Sequence, residues 1–219
     1  MEKRETRSME FEVRAEQNEQ HGTYITGTPI VFNQVTDLGW IREMIEPGAL
    51  DDTDLKDVRF LVGHDTTSIP LARSRNNNAN STMQMSVTER GMEIRVDLDT
   101  ENNPRAKELY SAVQRGDISG MSFMFTVVKD AWDDLDTDQP LRRITAIGKV
   151  FEVSAVTFPA YEGTDIQAAA EDSALESARA SLESAKAKLA EERAAQAEQE
   201  RRTAVLDWLK DYVKGGQDE

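Results

Sequence analysis

Short runs in which apolar and polar residues alternate dominate the first three quarters of the chain. "MEFEVRA" (9–15) alternates as a half-buried strand does, and "TYITGTPIVFNQ" (23–34) and "VRFLVGH" (58–64) are further strand candidates. "MQMSVTERGMEIRVDL" (83–98) predicts a hairpin with Glu89-Arg90-Gly91 at its turn. A different period interrupts at "TENNPRAKELYSAVQRG" (100–116). Here Asn103 suits an N-cap, Pro104 the first helical position, and Gly116 the residue past the end. "GDISGMSFMFTV" (116–127) returns to strand density. An acidic stretch, "KDAWDDLDTDQP" (129–140), reads as a loop, and "LRRITAIGKVFEVSAVTF" (141–158) reads as a long strand. Many strands with one or two helices predict a mainly β, α+β domain built on a closed or nearly closed barrel.

The pattern changes near residue 168. From there to about residue 214 the chain lacks Gly and Pro and is rich in Ala, Glu, Lys, Arg and Leu, which is helix composition. Leu175, Leu182 and Leu189 recur every seven residues, with Ala178 and Ala185 between them, a weak coiled-coil seam. Val205, Leu206, Trp208, Leu209, Tyr212 and Val213 form a sharper apolar face before Gly215-Gly216. The expected organisation is an N-terminal segment (1–15), a β-barrel domain (16–167) and a helical tail (168–219).

Composition removes several classes of chemistry. The 219 residues include no Cys, so disulfides and thiolate catalysis are excluded, and the two His rule out a His-rich zinc site. A formal net charge of −15 argues against a nucleic-acid surface. No apolar run reaches membrane-span length and no apolar core of a signal peptide follows the N-terminus, so a soluble intracellular protein is expected, with no metal or other cofactor. Asp134, Asp136 and Asp138 have the first spacings of a calcium loop. Gln139 and Thr145 stand where that loop needs Gly and Glu, so a calcium site is rejected.

Three residues carry candidate chemistry, each with a plainer alternative. His64 ends an apolar strand and opens a polar loop, the position of a presented catalytic group or of an ordinary strand-end His. Ser122 is a hydroxyl inside an apolar strand, a nucleophile or a tolerated filler. Glu152 sits in a nearly continuous apolar strand. A carboxylate there needs a partner, either an imidazole or one of Arg142 and Arg143. Ser, His and a buried carboxylate are the parts of an acyl-transfer triad, and with His21 in a polar turn the base in such a triad falls to His64.

Five blocks in order, "ITGTPIVFNQVTDLGWIREMIEPGAL", "VRFLVGHD", "PLAR", "VQRGDISGMSFMF" and "FEVSAVTFPAY", resemble the prohead maturation proteases of tailed bacteriophages over roughly residues 20 to 165. That family is similar in fold to the herpesvirus assemblins, a β-barrel surrounded by helices. The resemblance implies a serine endopeptidase that cleaves scaffold and/or major capsid protein, and possibly itself, inside the immature capsid in the host cytoplasm. The family's His falls on His64, its nucleophile on Ser122, and its acidic residue on Glu152, where assemblins place a second His. Met124 stands where the family often has Gly. The tail lies beyond the resemblance and could dock on scaffold or capsid helices or form a homo-oligomer. The competing reading is a non-catalytic scaffolding or capsid-assembly protein that uses the tail for assembly.

Overall fold

The structure, a computed structural model, describes residues 4–9, 13–18, 22–157 and 176–215. The chain divides into two compact units, Met1–Ser177 and Ala178–Glu219. The first unit is mainly β, as the alternation predicts.

Among the described residues, eleven strands lie in two sheets. The smaller sheet has the order β2 (Arg14–Asn18), β3 (Gly22–Val31), β9 (Gly91–Asp97), β8 (Met83–Thr88), all antiparallel. The larger runs β1 (Arg4–Met9), β10 (Gly120–Asp133), β11 (Leu141–Val156), β5 (Arg42–Ile45), β4 (Thr36–Asp37). β11 divides its outer edge. β5 pairs with it in parallel along Leu141–Ile144, and β6 (Asp57–Val62) pairs in parallel along Glu152–Ala155, with β7 (Ala72–Arg75) outside β6.

The two sheets are therefore not closed into a barrel: of the predicted closed or nearly closed forms, the closed one is not formed. Among the described residues the sheets meet through an isolated Phe32–Ile45 bridge and turn hydrogen bonds such as Thr82 N–H to the Arg73 carbonyl (3.1 Å), without a continuous ladder. Two features work against closure. β11 spends one edge on two short strands, and Pro29, which has no N–H, lies in the register break of β3 between Gly27 and Ile30.

One apolar core joins the two sheets. Ile25 and Ile30, Phe60, Met83, Met92, and Met121, Phe123 and Phe125 are all buried in it. The β8–β9 hairpin turns through Glu89-Arg90, and Gly91 follows at φ 147°. A Cβ there would lie 1.9 Å from the Ile30 carbonyl oxygen, so only glycine permits this approach of β9 to β3. Helix α1 (Pro104–Arg115) has the predicted ends. The Asn103 side chain accepts from the N–H groups of Arg105 and Ala106, and Gly116 closes the helix at φ 79°.

Two local expectations change. The predicted strand 9–15 is not a single element: β1 ends at Met9, β2 starts at Arg14, and residues 10–12 lie outside the described residues. The acidic stretch is not all loop, because β10 continues through Lys129–Asp133. Cross-strand ion pairs neutralise its carboxylates: Arg142 Nε to Asp130 at 2.7 Å and Arg143 Nε to Asp133 at 2.6 Å. Polar sequence thus conceals a strand whose charges are paired across the ladder. The segment around residue 168, including Leu175, lies outside the described residues.

The second unit contains one long helix. α2 (Glu176–Gly215) runs without a break, and Val205, Leu206, Trp208 and Leu209 stand exposed on it, Trp208 at 63 %. Gly215 is its last residue rather than the first beyond it.

Candidate active site

Adjacent residues of a strand point to opposite faces, so the core face of β10 at Met121, Phe123 and Phe125 leaves Ser122 on the other side. In register with it across the ladder is Ser154, and Glu152 lies two residues earlier on the same face of β11. Ser122, Ser154 and Glu152 are thus neighbours on one face of two central strands. All three are buried, at 0 %, 0 % and 2 % exposure.

β6 delivers the fourth group. Its parallel ladder with β11 ends as Gly63 N–H donates to the Ala155 carbonyl (2.9 Å). The chain then turns through two left-handed residues, Gly63 at φ 61° and His64 at φ 59°. That conformation costs a non-glycine residue roughly 1–2 kcal/mol, so it must be held by bonds. His64 has two. Its backbone N–H donates to Ser154 Oγ (3.1 Å), and its ring Nδ1 lies 2.7 Å from Glu152 Oε1. Ser154 in turn donates to the other carboxylate oxygen, Oε2, at 2.5 Å.

Glu152 therefore finds its partner in His64. The alternative partners, Arg142 and Arg143, are used elsewhere. With Nδ1 facing a carboxylate, the neutral imidazole keeps its proton there and leaves the lone pair on Nε2. That Nε2 is buried and has no hydrogen-bond partner among the described residues. Such an atom on an oriented imidazole can accept a proton from an incoming hydroxyl.

Ser122 is not joined to it. Its hydroxyl donates to the Arg7 carbonyl of β1 (2.8 Å), the strand paired with β10 so that Ser8 faces Ser122. Met124, which stands where the family often has Gly, faces Glu152 across the ladder and immediately precedes a register shift in β10. His21 lies outside the described residues.

Asp65, beside His64, plays a different part. Its carboxylate accepts from the hydroxyls of Ser68 and Thr67 and from the Thr67 N–H. The Ser68 hydrogen bond, then those of Thr67, hold its pKa down at about 2. It ties the loop after the catalytic candidate to itself.

β1 is anchored by a cluster of charges with almost no solvent contact. Arg7 grips Glu43 of β5 with two bonds, 2.5 and 2.8 Å, and reaches Glu5 at 2.6 Å. Arg142 of β11 bonds the same two carboxylates, Glu5 at 2.8 Å and Glu43 at 3.1 Å. Burial pushes the Glu5 carboxyl up, but Arg7 and Arg142 outweigh it and its pKa ends lowered. The sequence reading missed Glu5, Arg7 and Ser154. A signal for Ser154 was present: a hydroxyl two residues after the buried carboxylate shares its strand face.

The prohead protease of Enterobacteria phage HK97 is 28 % identical over 156 residues, which cover 70 % of this chain and 63 % of that protein. The chain thus spans a little under two thirds of the length of this relative. The solved bacteriophage T4 capsid assembly protease, gp21, is 11 % identical, with a TM-score of 0.36 over 69 % of this chain and 98 % of that one. A model of the caudovirus prohead serine proteases matches residues 9–178, the span that carries His64, Ser122 and Glu152, and the chain belongs to that family.

Proposed function

We propose that the protein is a serine endopeptidase of phage prohead maturation, with Ser122 as nucleophile, His64 as general base and Glu152 as the group that orients it. The observation that carries this reading is the 2.7 Å contact of His64 Nδ1 with Glu152, which shares its sheet face with Ser122, leaving Nε2 without a hydrogen-bond partner among the described residues. Family membership supports it.

In the reaction, the Ser122 hydroxyl leaves the Arg7 carbonyl and turns toward Nε2. His64 takes its proton as Oγ attacks the scissile carbonyl carbon, and Glu152 stabilises the imidazolium. The tetrahedral intermediate collapses as His64 gives that proton to the leaving amine. Water then repeats the sequence on the acyl-enzyme and frees the acid product. The proposed substrates are scaffold and/or major capsid protein within the prohead, and the chain itself. The relative from HK97, named a prohead protease, supports the setting.

The test is to express the full chain with its cognate capsid and scaffold proteins and map new termini by mass spectrometry. Ser122→Ala is expected to abolish cleavage by several orders of magnitude while the protein stays folded, because triad members act as a unit. Cleavage that persists in purified Ser122→Ala protein overturns the assignment. A wild-type chain that cuts neither protein leaves the non-catalytic assembly role as the better reading.

A further inference from the structure

We propose that Ser154 is a positioning residue of this site, whose hydroxyl fixes the Glu152 carboxylate and the His64 backbone together. The inference rests on the reading of His64 as base and Glu152 as its orienter.

Ser154 is fully buried, and a buried hydroxyl must find partners. It donates to Glu152 Oε2 at 2.5 Å and accepts from His64 N–H at 3.1 Å. The first bond acts on the carboxylate. Oε1 faces the imidazole and Oε2 faces Ser154, so neither oxygen is left to swing and the carboxyl plane is set. The second acts on the main chain. The β6–β11 ladder has its last Cα pair at Val62–Ala155, followed by the Gly63 N–H bond to the Ala155 carbonyl. The next N–H, that of His64, turns out of the ladder in a left-handed conformation and would lose its acceptor. The Ser154 hydroxyl supplies one, and so stabilises the strained turn that carries the imidazole. One side chain therefore sets both ends of the His64–Glu152 contact.

Ser154 lies behind the carboxylate from the ring, so its removal acts through the base. Substrate binding should be spared. Ser154→Ala in the full chain is expected to lower kcat about 10- to 100-fold, the scale seen where the hydrogen-bond partner that orients a metal-bound His is removed, with KM little changed. Ser154→Thr, which keeps the hydroxyl, is expected to restore most of the rate. In a Glu152→Gln background Ser154→Ala should cost less than in the wild type, because its hold on the carboxylate no longer counts while its hold on the His64 N–H still does. A purely structural role would lower the two backgrounds alike.

The measurement is single-substrate kinetics on a fragment that the wild-type protein cuts, with thermal unfolding of each variant alongside. A wild-type kcat in Ser154→Ala, or equal losses in the two backgrounds, overturns the positioning role. If Ser154→Ala does not fold, Ser154→Thr carries the test, and a folded Ser154→Thr with a collapsed kcat overturns it as well. Ser122→Ala run in parallel separates the two levels. A silent Ser122→Ala beside a fully active Ser154→Ala sinks only this inference, whereas an active Ser122→Ala sinks the catalytic reading and this inference with it.

Discussion

His64 is held in a left-handed conformation at the end of a strand, its ring against a buried carboxylate and its amide on a buried hydroxyl. Replacing Glu152 by Gln keeps the shape but ends the preference for the proton on Nδ1. The rate of peptide cleavage is expected to fall by up to about 10^4-fold, the loss known for the matching amide substitution in a Ser-His-Asp triad, and less completely than in Ser122→Ala. Kinetics of the two variants on one substrate will rank them; a Glu152→Gln protein as fast as wild type refutes the role. Asp65 gives a pH signature at the same scale. Its folded pKa, about 2, lies below the ordinary 3.8, so its hold on the 65–68 loop is complete above about pH 4 and is lost as pH falls toward 2. The Thr67 amide should accordingly stay protected in hydrogen exchange near pH 4 and lose protection as pH falls toward 2. At this scale the sequence was informative where chemistry is scarce. With two His, one in a polar turn, His64 stood out, and a lone carboxylate in an apolar strand advertised a partner. Ser154 did not stand out, because a serine in a strand becomes meaningful only when its distance to Glu152 is known.

Elements show what polarity patterns can and cannot reveal. Helix α1 was legible at both ends because its caps are local: Asn103, Pro104 and Gly116 act within a few residues of themselves. Asn103→Ala is expected to destabilise the protein by about 1 kcal/mol, seen as a lower midpoint in urea unfolding; an unchanged midpoint would show that the cap contributes nothing. β1 was not legible. In "RETRSM" the buried alternate positions are Glu5 and Arg7, so the period-two signal is written in charged residues and reads as solvent-exposed. The outer half of β10 was hidden for a related reason, since Asp130 and Asp133 meet arginines across the ladder. The charge cluster behind β1 predicts a large effect. Glu43→Gln takes from Arg7 the carboxylate that it holds with two bonds in a dry site, and a loss of about 3–5 kcal/mol is expected from denaturant unfolding. A loss below 1 kcal/mol would mean that water reaches the cluster.

Over the whole molecule, the mixture of many strands and few helices was readable from alternation, but the connectivity was not. A strand that serves two neighbours along one edge, as β11 serves β5 and β6, has the same local pattern as a barrel strand that serves one. The helical tail is expected to be separable. Deleting residues 168–219 should leave cleavage of a supplied substrate intact and abolish co-purification with proheads; an insoluble or inactive truncation would instead make the tail part of the catalytic unit. The cluster of Glu5, Arg7, Glu43 and Arg142 also constrains how the sequence can drift. Two of its four residues, Glu5 and Arg7, precede the span shared with the family model, and Asp130 adds a third carboxylate on Arg142. Loss of any one leaves its partners under-neutralised in a dry site, so an acid and a base are expected to be lost together. A relative without this first strand loses one of each, and a Glu and an Arg at the positions of Glu43 and Arg142 can still neutralise one another.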